Sequence, residues 1–234
     1  MFILDIDGCI TEGKGEEIDL IALNQLKQRI HNTDKNTILC TGRSALYVEA
    51  IAQMLNLTNW CICENGAYIY HTGTEEILYH PNITPKTKQQ LKGIQDILTT
   101  SPQFTKIAEI ELGKEICISL NPIGIGIEAL YNLILDNIDL KGVNIAHSTT
   151  AVDITPLNIN KEKGLLWLSE KCNINLNTAI AVGDSMGDIG FMSLCENKAC
   201  PNNASEQVKD IADFIATSNS TKGLIEIYKY YGLQ

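Results

Sequence analysis

No apolar stretch of the 234-residue chain approaches the ~18 residues that a membrane-spanning helix needs. This excludes an integral helical membrane protein, and we expect no membrane partner. Basic clusters are missing as well, because 18 Lys and Arg residues are scattered among 28 Asp and Glu residues. A chain with a formal net charge of −10 repels phosphate backbones, so we expect no nucleic-acid partner.

The eight cysteines form no Cys-x-x-Cys pair and have no histidine at the spacing of a zinc site. Most of them lie in apolar stretches, where Cys packs as a small hydrophobic residue: Cys40, Cys61, Cys63 and Cys117. We therefore expect reduced thiols in a reducing compartment. The N-terminal segment shows no basic leader and no small-residue cleavage site. The expected location is the cytoplasm.

Short apolar strands alternate with amphipathic helices in the two outer parts of the chain. This alternation predicts an α/β fold with a Rossmann-like parallel-sheet core. The middle instead has the order helix, strand, strand, helix, strand, strand, which predicts a small inserted α+β unit. We therefore expect a core domain over 1–79 plus 156–234 and an inserted cap domain over 80–155. The strands expected in the core include 2–7, TILC, WCIC and TAIAV, and its helices are expected over 18–30, 45–55, 161–172, 186–194, 204–212 and 222–231.

Two pairs of aspartates stand directly after strand-like segments. Asp5 and Asp7 end the first predicted strand, and Asp184 and Asp188 follow TAIAV. Residues i and i+2 of a strand face the same side, and ligands of open α/β sheets bind beyond the carboxyl ends of the strands. Carboxylates in this position suit Mg²⁺. Two plainer interpretations stay open: a solvated strand end at the first pair, and a capping box formed by Ser185 and Asp188.

The segment TGR at 41–43 ends the second predicted core strand. Its hydroxyl and backbone N–H groups can hold a phosphoryl group at the start of the following helix. The alternative is a plain strand-to-helix turn with Ser44 as the N-cap. Lys163 lies in the first turn of helix 161–172, where the plainer interpretation is a solvated lysine, and Lys161 is a close rival for any role given to Lys163.

Together these segments resemble the haloacid dehalogenase superfamily of phosphatases, whose four motifs match DIDG at 5–8, TGR at 41–43, Lys163 and GDSMGD at 183–188. The inserted unit resembles the shorter form of that superfamily's second cap class. ENG at 64–66 and the segment 198–215 are most similar to archaeal-type phosphoglycolate phosphatases and their sugar-phosphatase relatives. Two positions depart from the family pattern: Cys9, where Thr or Asn is commoner, and Gly187, where Asn usually precedes the last Asp.

The resemblance implies a phosphatase that works through an aspartyl-phosphate intermediate. Asp5 would be the nucleophile, and Asp7 would protonate the leaving group and then activate water. The residues implied to bind the phosphoryl group are Thr41, Gly42 and Lys163. The residues implied to hold Mg²⁺ are Asp5, Asp7 through its main-chain oxygen, Asp184 and Asp188.

The resemblance further implies that the substrate is a small phosphorylated metabolite, which the cap selects. 2-Phosphoglycolate is the preferred candidate, because a short cap leaves room for a small acid phosphate. Three alternatives remain: a sugar-phosphate phosphatase, a phosphomutase that returns the phosphoryl group to a sugar, and a phosphate- or metal-binding relative without turnover. The departures at Cys9 and Gly187 motivate the last of these.

Overall fold

A computed structural model describes residues 1–148 and 150–232. The chain divides into two compact units. The first unit consists of Met1–Leu78 together with the chain from Lys161 onward, and the second is the inserted unit, Tyr79–Asn160. Within the described part of the chain, every helix is too short or too polar to cross a bilayer.

The first segment of the chain builds half of the first unit. Its elements are β1 (Phe2–Leu4), α1 (Leu20–His31), β2 (Thr37–Leu39), α2 (Ala45–Leu55), β3 (Trp60–Cys63), β4 (Tyr68–His71) and β5 (Ile77–Tyr79). Helix α1 begins after Asp19, whose carboxylate accepts hydrogen bonds from the Ile21 and Ala22 amides at 3.1 and 2.9 Å. Such side-chain caps satisfy amides that have no partner within the helix.

The inserted unit is an antiparallel sheet with helices. Its elements are α3 (Pro85–Thr100), α4 (Pro102–Thr105), β6 (Ala108–Ile110), β7 (Ile118–Pro122), α5 (Ile127–Asn137), β8 (Val143–His147) and β9 (Val152–Pro156). The strand order is β6-β7-β9-β8. Along β9, Val152, Ile154 and Pro156 are buried while Asp153 and Thr155 are half-buried, which is the alternation of a strand with one covered face.

The rest of the chain completes the first unit. Its elements are α6 (Lys161–Cys172), β10 (Ile180–Val182), α7 (Ile189–Met192), β11 (Asn197–Cys200), α8 (Glu206–Lys209), β12 (Phe214–Ile215) and α9 (Ser220–Gly232). The central sheet has the order β12-β11-β10-β1-β2, and every neighbouring pair is parallel. The predicted α/β fold class with a parallel-sheet core is therefore confirmed.

Several element bounds differ from the sequence prediction. The first strand ends at Leu4, where its ladder with Leu39 and Val182 ends, and not at residue 7. The helix expected over 186–194 begins at Met186 as a 3-10 turn, Met186–Asp188, and continues as α7 only to Met192. The helix expected over 204–212 is the single turn α8. Strand β3 contacts the central sheet through one parallel bridge, Cys40 to Ile62, and pairs antiparallel with β4.

The topology brings three loops to one edge of the central sheet. Strand β1 lies between β10 and β2, and the three run parallel. Their carboxyl ends therefore meet at the same edge, where ligands of open α/β sheets bind. The residues that follow these strands are Asp5 after β1, Thr41 after β2 and Asp184 after β10.

Candidate active site

Asp5 is a buried carboxylate, only 5% exposed. The Nζ atom of Lys161 lies 2.8 Å from its Oδ1 atom. Lys161 is therefore the ion-pair partner of this oxygen. Burial is the main cause that raises the pKa of Asp5 well above its usual value, and the nearby charges of Asp188 and Asp184 add to this rise, while Lys161 opposes it.

Lys161, the first residue of α6, is the cation of this site. Its Nζ atom donates a hydrogen bond of 2.6 Å to Asp188 Oδ1, and its side chain is 8% exposed. Burial alone lowers the pKa of this lysine, but the charges of Asp188 and Asp5 outweigh burial and raise the pKa well above its usual value. Lys161 is therefore held in its charged form.

The expectation for Lys163 needs correction. Lys163 follows Lys161 by two positions, which is about 200° around a helix axis. Its side chain is 47% exposed, and its Nζ atom lies 3.7 Å from Glu162 Oε1. The lysine beside Asp5 and Asp188 is therefore Lys161, the competing candidate from the sequence.

Asp188 organises the loop after β10. Its Oδ2 atom accepts hydrogen bonds from the Ser185 amide at 2.9 Å, the Ser185 hydroxyl at 2.8 Å and the Asp184 amide at 3.1 Å. The bond from the Ser185 amide is the reciprocal half of the capping box that the sequence offered as an alternative. Since Lys161 binds Oδ1, both oxygens of this fully buried carboxylate already have protein partners.

Asp184 is pressed against the loop that follows Asp5. A Cβ atom at Gly8 would lie 2.2 Å from Asp184 Oδ2, and Gly8 has a φ of +81°. Glycine is therefore required at this position both by space and by backbone conformation. The side-chain amide of Asn203 donates 2.9 Å to the Gly8 carbonyl and fixes the loop from the other side.

The predicted phosphate loop is anchored by its own backbone and by the ENG turn (Glu64–Gly66). Thr41 is 1% exposed, and its Oγ1 atom accepts a hydrogen bond of 3.1 Å from the Arg43 amide. The Thr41 and Arg43 carbonyls accept bonds of 3.0 Å from the Asn65 and Glu64 amides. A Cβ atom at Gly42 would lie 3.0 Å from Asn65 Oδ1, so this turn packs closely on the loop.

Asp7 is paired with Arg43, a contact that sequence reasoning missed. Arg43 Nε donates to Asp7 Oδ2 at 2.7 Å, and Arg43 Nη2 donates to Oδ1 at 2.7 Å. The two residues are 36 positions apart, and neither spacing nor periodicity connects them. The TGR segment placed Arg43 at the predicted site, but the prediction used only the Thr41 hydroxyl and the backbone N–H groups and gave the Arg43 side chain no role.

A divalent cation fits the carboxylates of this site. Asp5, Asp184 and Asp188 each offer an oxygen, and these oxygens lie within 4.8 Å of one another. Burial, followed by the charge of Asp188, raises the pKa of Asp184 to about 7. Asp5 and Asp184 are the best placed to bind the cation, because both oxygens of Asp188 already accept hydrogen bonds from the protein.

Cys9 and Gly187, the two residues that depart from the family pattern, differ in burial. Cys9 is fully buried, and burial raises the pKa of its thiol well above the usual value. At Gly187 a Cβ atom would meet only Ser185 Oγ at 3.7 Å, an ordinary contact. The Asp188 carboxylate is held by Ser185 and Lys161, so its orientation does not depend on a side chain at position 187.

A parallel sheet with carboxylates and one buried lysine at the carboxyl ends of its strands defines an α/β enzyme with its chemistry on the core unit. The sequence profile of the haloacid dehalogenase-like hydrolases matches residues 2–101 and 119–227. This match spans most of the chain, and the chain belongs to that family.

Individual relatives cover nearly the whole chain. A Nitrosopumilus maritimus protein named phosphoglycolate phosphatase is 26% identical over 230 residues, which is 96% of this chain and 93% of that protein. A Bacillus subtilis protein named 5-amino-6-(5-phospho-D-ribitylamino)uracil phosphatase is 24% identical, with 100% and 96% covered. A crystal structure from Thermoplasma acidophilum has the same fold, with a TM-score of 0.76, 18% identity and coverage of 100% and 98%. The predicted membership in the phosphatases of this superfamily is confirmed.

Proposed function

We propose that this phosphatase hydrolyses a small phosphomonoester with Mg²⁺, through a phosphoenzyme formed on Asp5. The observation that carries the proposal is the Asp5 carboxylate, which is 5% exposed, follows β1 at the carboxyl edge of the sheet and lies 2.8 Å from the Lys161 ammonium. A buried carboxylate beside a fixed cation is suited to act as a nucleophile toward an anionic ester.

In the first step, an Asp5 oxygen attacks phosphorus and the bond from phosphorus to the leaving oxygen breaks. Lys161 takes the role implied for Lys163, because its charge lies 2.8 Å from the attacking carboxylate and can neutralise the phosphoryl oxygens. Thr41 and the Gly42 amide orient the phosphoryl group. Asp7 gives a proton to the leaving alkoxide.

In the second step, water hydrolyses the phosphoenzyme. Asp7, now deprotonated, takes a proton from the water, whose oxygen attacks phosphorus. The bond to Asp5 breaks, which releases inorganic phosphate and restores the carboxylate. One residue thus serves as acid and then as base.

The proposed metal ligands are Asp5, the main-chain oxygen of Asp7, and Asp184. Asp188 supports them by accepting hydrogen bonds from the Asp184 and Ser185 amides, which fix the loop after β10. When bound, Mg²⁺ supplies positive charge that offsets the repulsion between the nucleophile and the phosphate. The protein prepares this site by bringing one oxygen from each of Asp5, Asp184 and Asp188 within 4.8 Å of one another.

The inserted unit, Tyr79–Asn160, is proposed to act as the cap that selects the ester. 2-Phosphoglycolate is the preferred substrate, and the name of the Nitrosopumilus maritimus relative supports it. A sugar-type phosphate is the second candidate, because the Bacillus subtilis relative is named for a ribityl phosphate at nearly the same identity.

We also propose a reducing, cytoplasmic compartment. The eight cysteines are all unpaired, and seven of them are buried, which supports this placement.

The test is a screen of small phosphomonoesters with Mg²⁺, run on the wild type and on Asp5→Asn. The amide keeps the shape of the side chain but is a far weaker nucleophile, so release of phosphate should disappear. Retention of more than about a tenth of kcat, a barrier change of only ~1.4 kcal/mol, would exclude Asp5 as the nucleophile. Full activity in excess EDTA would exclude the metal.

The same screen separates the alternatives. Phosphate release from sugar phosphates at higher kcat/KM than from 2-phosphoglycolate would assign a sugar phosphatase. Conversion of a sugar monophosphate into its isomer with a bisphosphate activator would assign a phosphomutase. Binding of phosphate without any release from the esters would assign a binding protein.

A further inference from the structure

We propose that Arg43 is a specificity-determining residue that recognises a carboxylate on the leaving group of the substrate. In the unliganded protein the same guanidinium holds Asp7. The proposal rests on the proposed function, because it takes Asp7 as the residue that protonates the leaving oxygen. The implied substrate class is a phosphomonoester with a carboxylate close to the ester oxygen.

The pair between Arg43 and Asp7 is a two-point contact on both carboxylate oxygens, at 2.7 Å each. The guanidinium lies 4.5 Å above the centre of the Tyr47 ring, which orients its plane. The Arg43 side chain is 15% exposed and that of Asp7 is 31% exposed, so the contact is open to a small solute on one side. Arg43 is one of two arginines in the sequence.

This pair conflicts with the chemistry expected of Asp7. A carboxyl group that protonates a leaving oxygen must turn one oxygen toward it, and both oxygens of Asp7 are bound by Arg43. Breaking the pair without a replacement costs free energy, because charge-assisted two-point hydrogen bonds are among the stronger polar contacts. A substrate that offers Arg43 another carboxylate removes this cost.

The position of Arg43 fits such an exchange. It follows Thr41 and Gly42, the residues proposed to hold the phosphoryl group, and it contacts Asp7, which is proposed to face the leaving oxygen. A carboxylate one carbon away from that oxygen therefore lies within reach of the guanidinium. The planar guanidinium of arginine can donate two hydrogen bonds to one carboxylate. The pair between Arg43 and the substrate carboxylate would therefore replace the pair between Arg43 and Asp7 with a contact of the same kind.

The exchange also gives selectivity against neutral esters. An ester without the carboxylate has to free Asp7 by breaking the pair with Arg43 and offers nothing in return. Enzymes commonly discriminate against a substrate whose binding breaks a polar contact in the protein without forming another in its place. Arg43 thus favours acid phosphates over neutral alkyl phosphates.

The experiment compares kcat/KM for three esters with saturating Mg²⁺. 2-Phosphoglycolate carries the carboxylate, 2-hydroxyethyl phosphate is its neutral analogue, and p-nitrophenyl phosphate has a leaving group that departs without a proton. The variants are Arg43→Gln and Arg43→Lys. Arg29→Gln, on the exposed face of α1, is the matched control for loss of an arginine, and Asp5→Asn provides the blank.

In the wild type we expect 2-phosphoglycolate to be preferred over 2-hydroxyethyl phosphate. Arg43→Gln should lower kcat/KM for 2-phosphoglycolate by about 10- to 100-fold, the range of a charged hydrogen-bonded contact. It should lower kcat/KM for 2-hydroxyethyl phosphate much less than for 2-phosphoglycolate, because this ester offers Arg43 no carboxylate in either protein. Arg43→Lys should lose most of the preference, since it keeps the charge without the fork.

Two results overturn the inference while the proposed function stands. One is a wild type that hydrolyses both alkyl phosphates equally well. The other is an Arg43→Gln variant that loses activity on the two alkyl phosphates alike, which is the result for a residue that only positions Asp7 as the proton donor. A wild type that releases phosphate from none of the three with Mg²⁺ overturns the proposed function and the inference together.

Discussion

At Lys161 a single cation faces two carboxylates in the interior of the first unit. Replacing it in Lys161→Met leaves Asp5 and Asp188 buried without their positive partner. We expect kcat/KM to fall by more than about 100-fold, because the proposed role of this cation is to stabilise the transferring phosphoryl group. The free energy of unfolding should fall by about 3–5 kcal/mol, as for other broken buried pairs. Phosphate release and urea unfolding measure the two effects.

The matched control is Lys163→Met, two residues further along α6. Its side chain is 47% exposed, so kcat/KM should stay within about threefold and the free energy of unfolding within about 0.5 kcal/mol. The opposite order of effects, with Lys163→Met inactive and Lys161→Met active, would contradict the assignment.

Gly8 and Gly15 share a backbone conformation but differ in their surroundings. Their φ angles are +81° and +83°, yet a Cβ atom meets Asp184 at 2.2 Å at the first site and nothing within 4 Å at the second. Gly15→Ala should cost only the backbone strain, about 1–2 kcal/mol. Gly8→Ala should add a displacement of Asp184 and raise the Mg²⁺ concentration for half-maximal activity. A magnesium titration of both variants measures this concentration. Equal half-maximal Mg²⁺ concentrations for Gly8→Ala and Gly15→Ala would show that metal binding by Asp184 does not depend on its close approach to Gly8.

The sequence predicted which residue types the site needs, but not every position. Asp5, Asp184 and Asp188 could be found because they follow apolar strands of a parallel sheet. The choice between Lys161 and Lys163 could not be made, because it depends on which face of α6 turns inward. That depends on the packing of the whole helix, which neighbouring lysines do not reveal.

At the scale of elements, the ENG turn (Glu64–Gly66) connects the phosphate loop to α2. All three of its residues have positive φ angles, of 45°, 58° and 94°. Tyr68 completes the connection, because its hydroxyl donates 3.1 Å to Glu64 and accepts 2.9 Å from the Ala45 amide at the start of α2. Such backbone outliers are typical of functional sites.

The prediction at this scale is Tyr68→Phe, which removes the hydroxyl from a buried position. We expect a loss of ~1–3 kcal/mol in the free energy of unfolding and a raised KM for the ester, because the start of α2 follows the phosphate loop. Tyr70→Phe, on the same strand and 4% exposed, is the control and should leave KM unchanged. An equal rise of KM in both variants would argue against the connection.

Element order was predictable, while element ends were less so. Alternating apolar strands and amphipathic helices indicated the parallel core, because parallel strands need long crossovers between them. The end of β1 at Leu4 and the short α7 and α8 were missed. The end of β1 coincides with the end of its ladder with β2 and β10, and these partners lie outside the local sequence pattern.

At the scale of the molecule, we propose a division of labour between the two units. The residues proposed for chemistry all belong to the first unit. Exchanging residues 79–160 for the corresponding segment of a relative should therefore change the ranking of esters by kcat/KM more than the Mg²⁺ requirement. An ester screen and a magnesium titration measure both. An unchanged ranking together with a shifted magnesium requirement would refute this division.

The inserted unit ends at Asn160, and Lys161 follows it directly. In a recombination event that exchanges one inserted unit for another, the position of the downstream breakpoint therefore matters to within one residue. If the breakpoint lies before Lys161, the recombinant keeps this lysine. If the breakpoint lies just after Lys161, the residue at this position comes from the gene that supplies the insert. The upstream limit is more tolerant, because the proposed chemical residues of that segment end at Arg43, far before Leu78. Under the proposed division of labour, substrate range can diversify by exchange of the insert when the downstream breakpoint lies before Lys161.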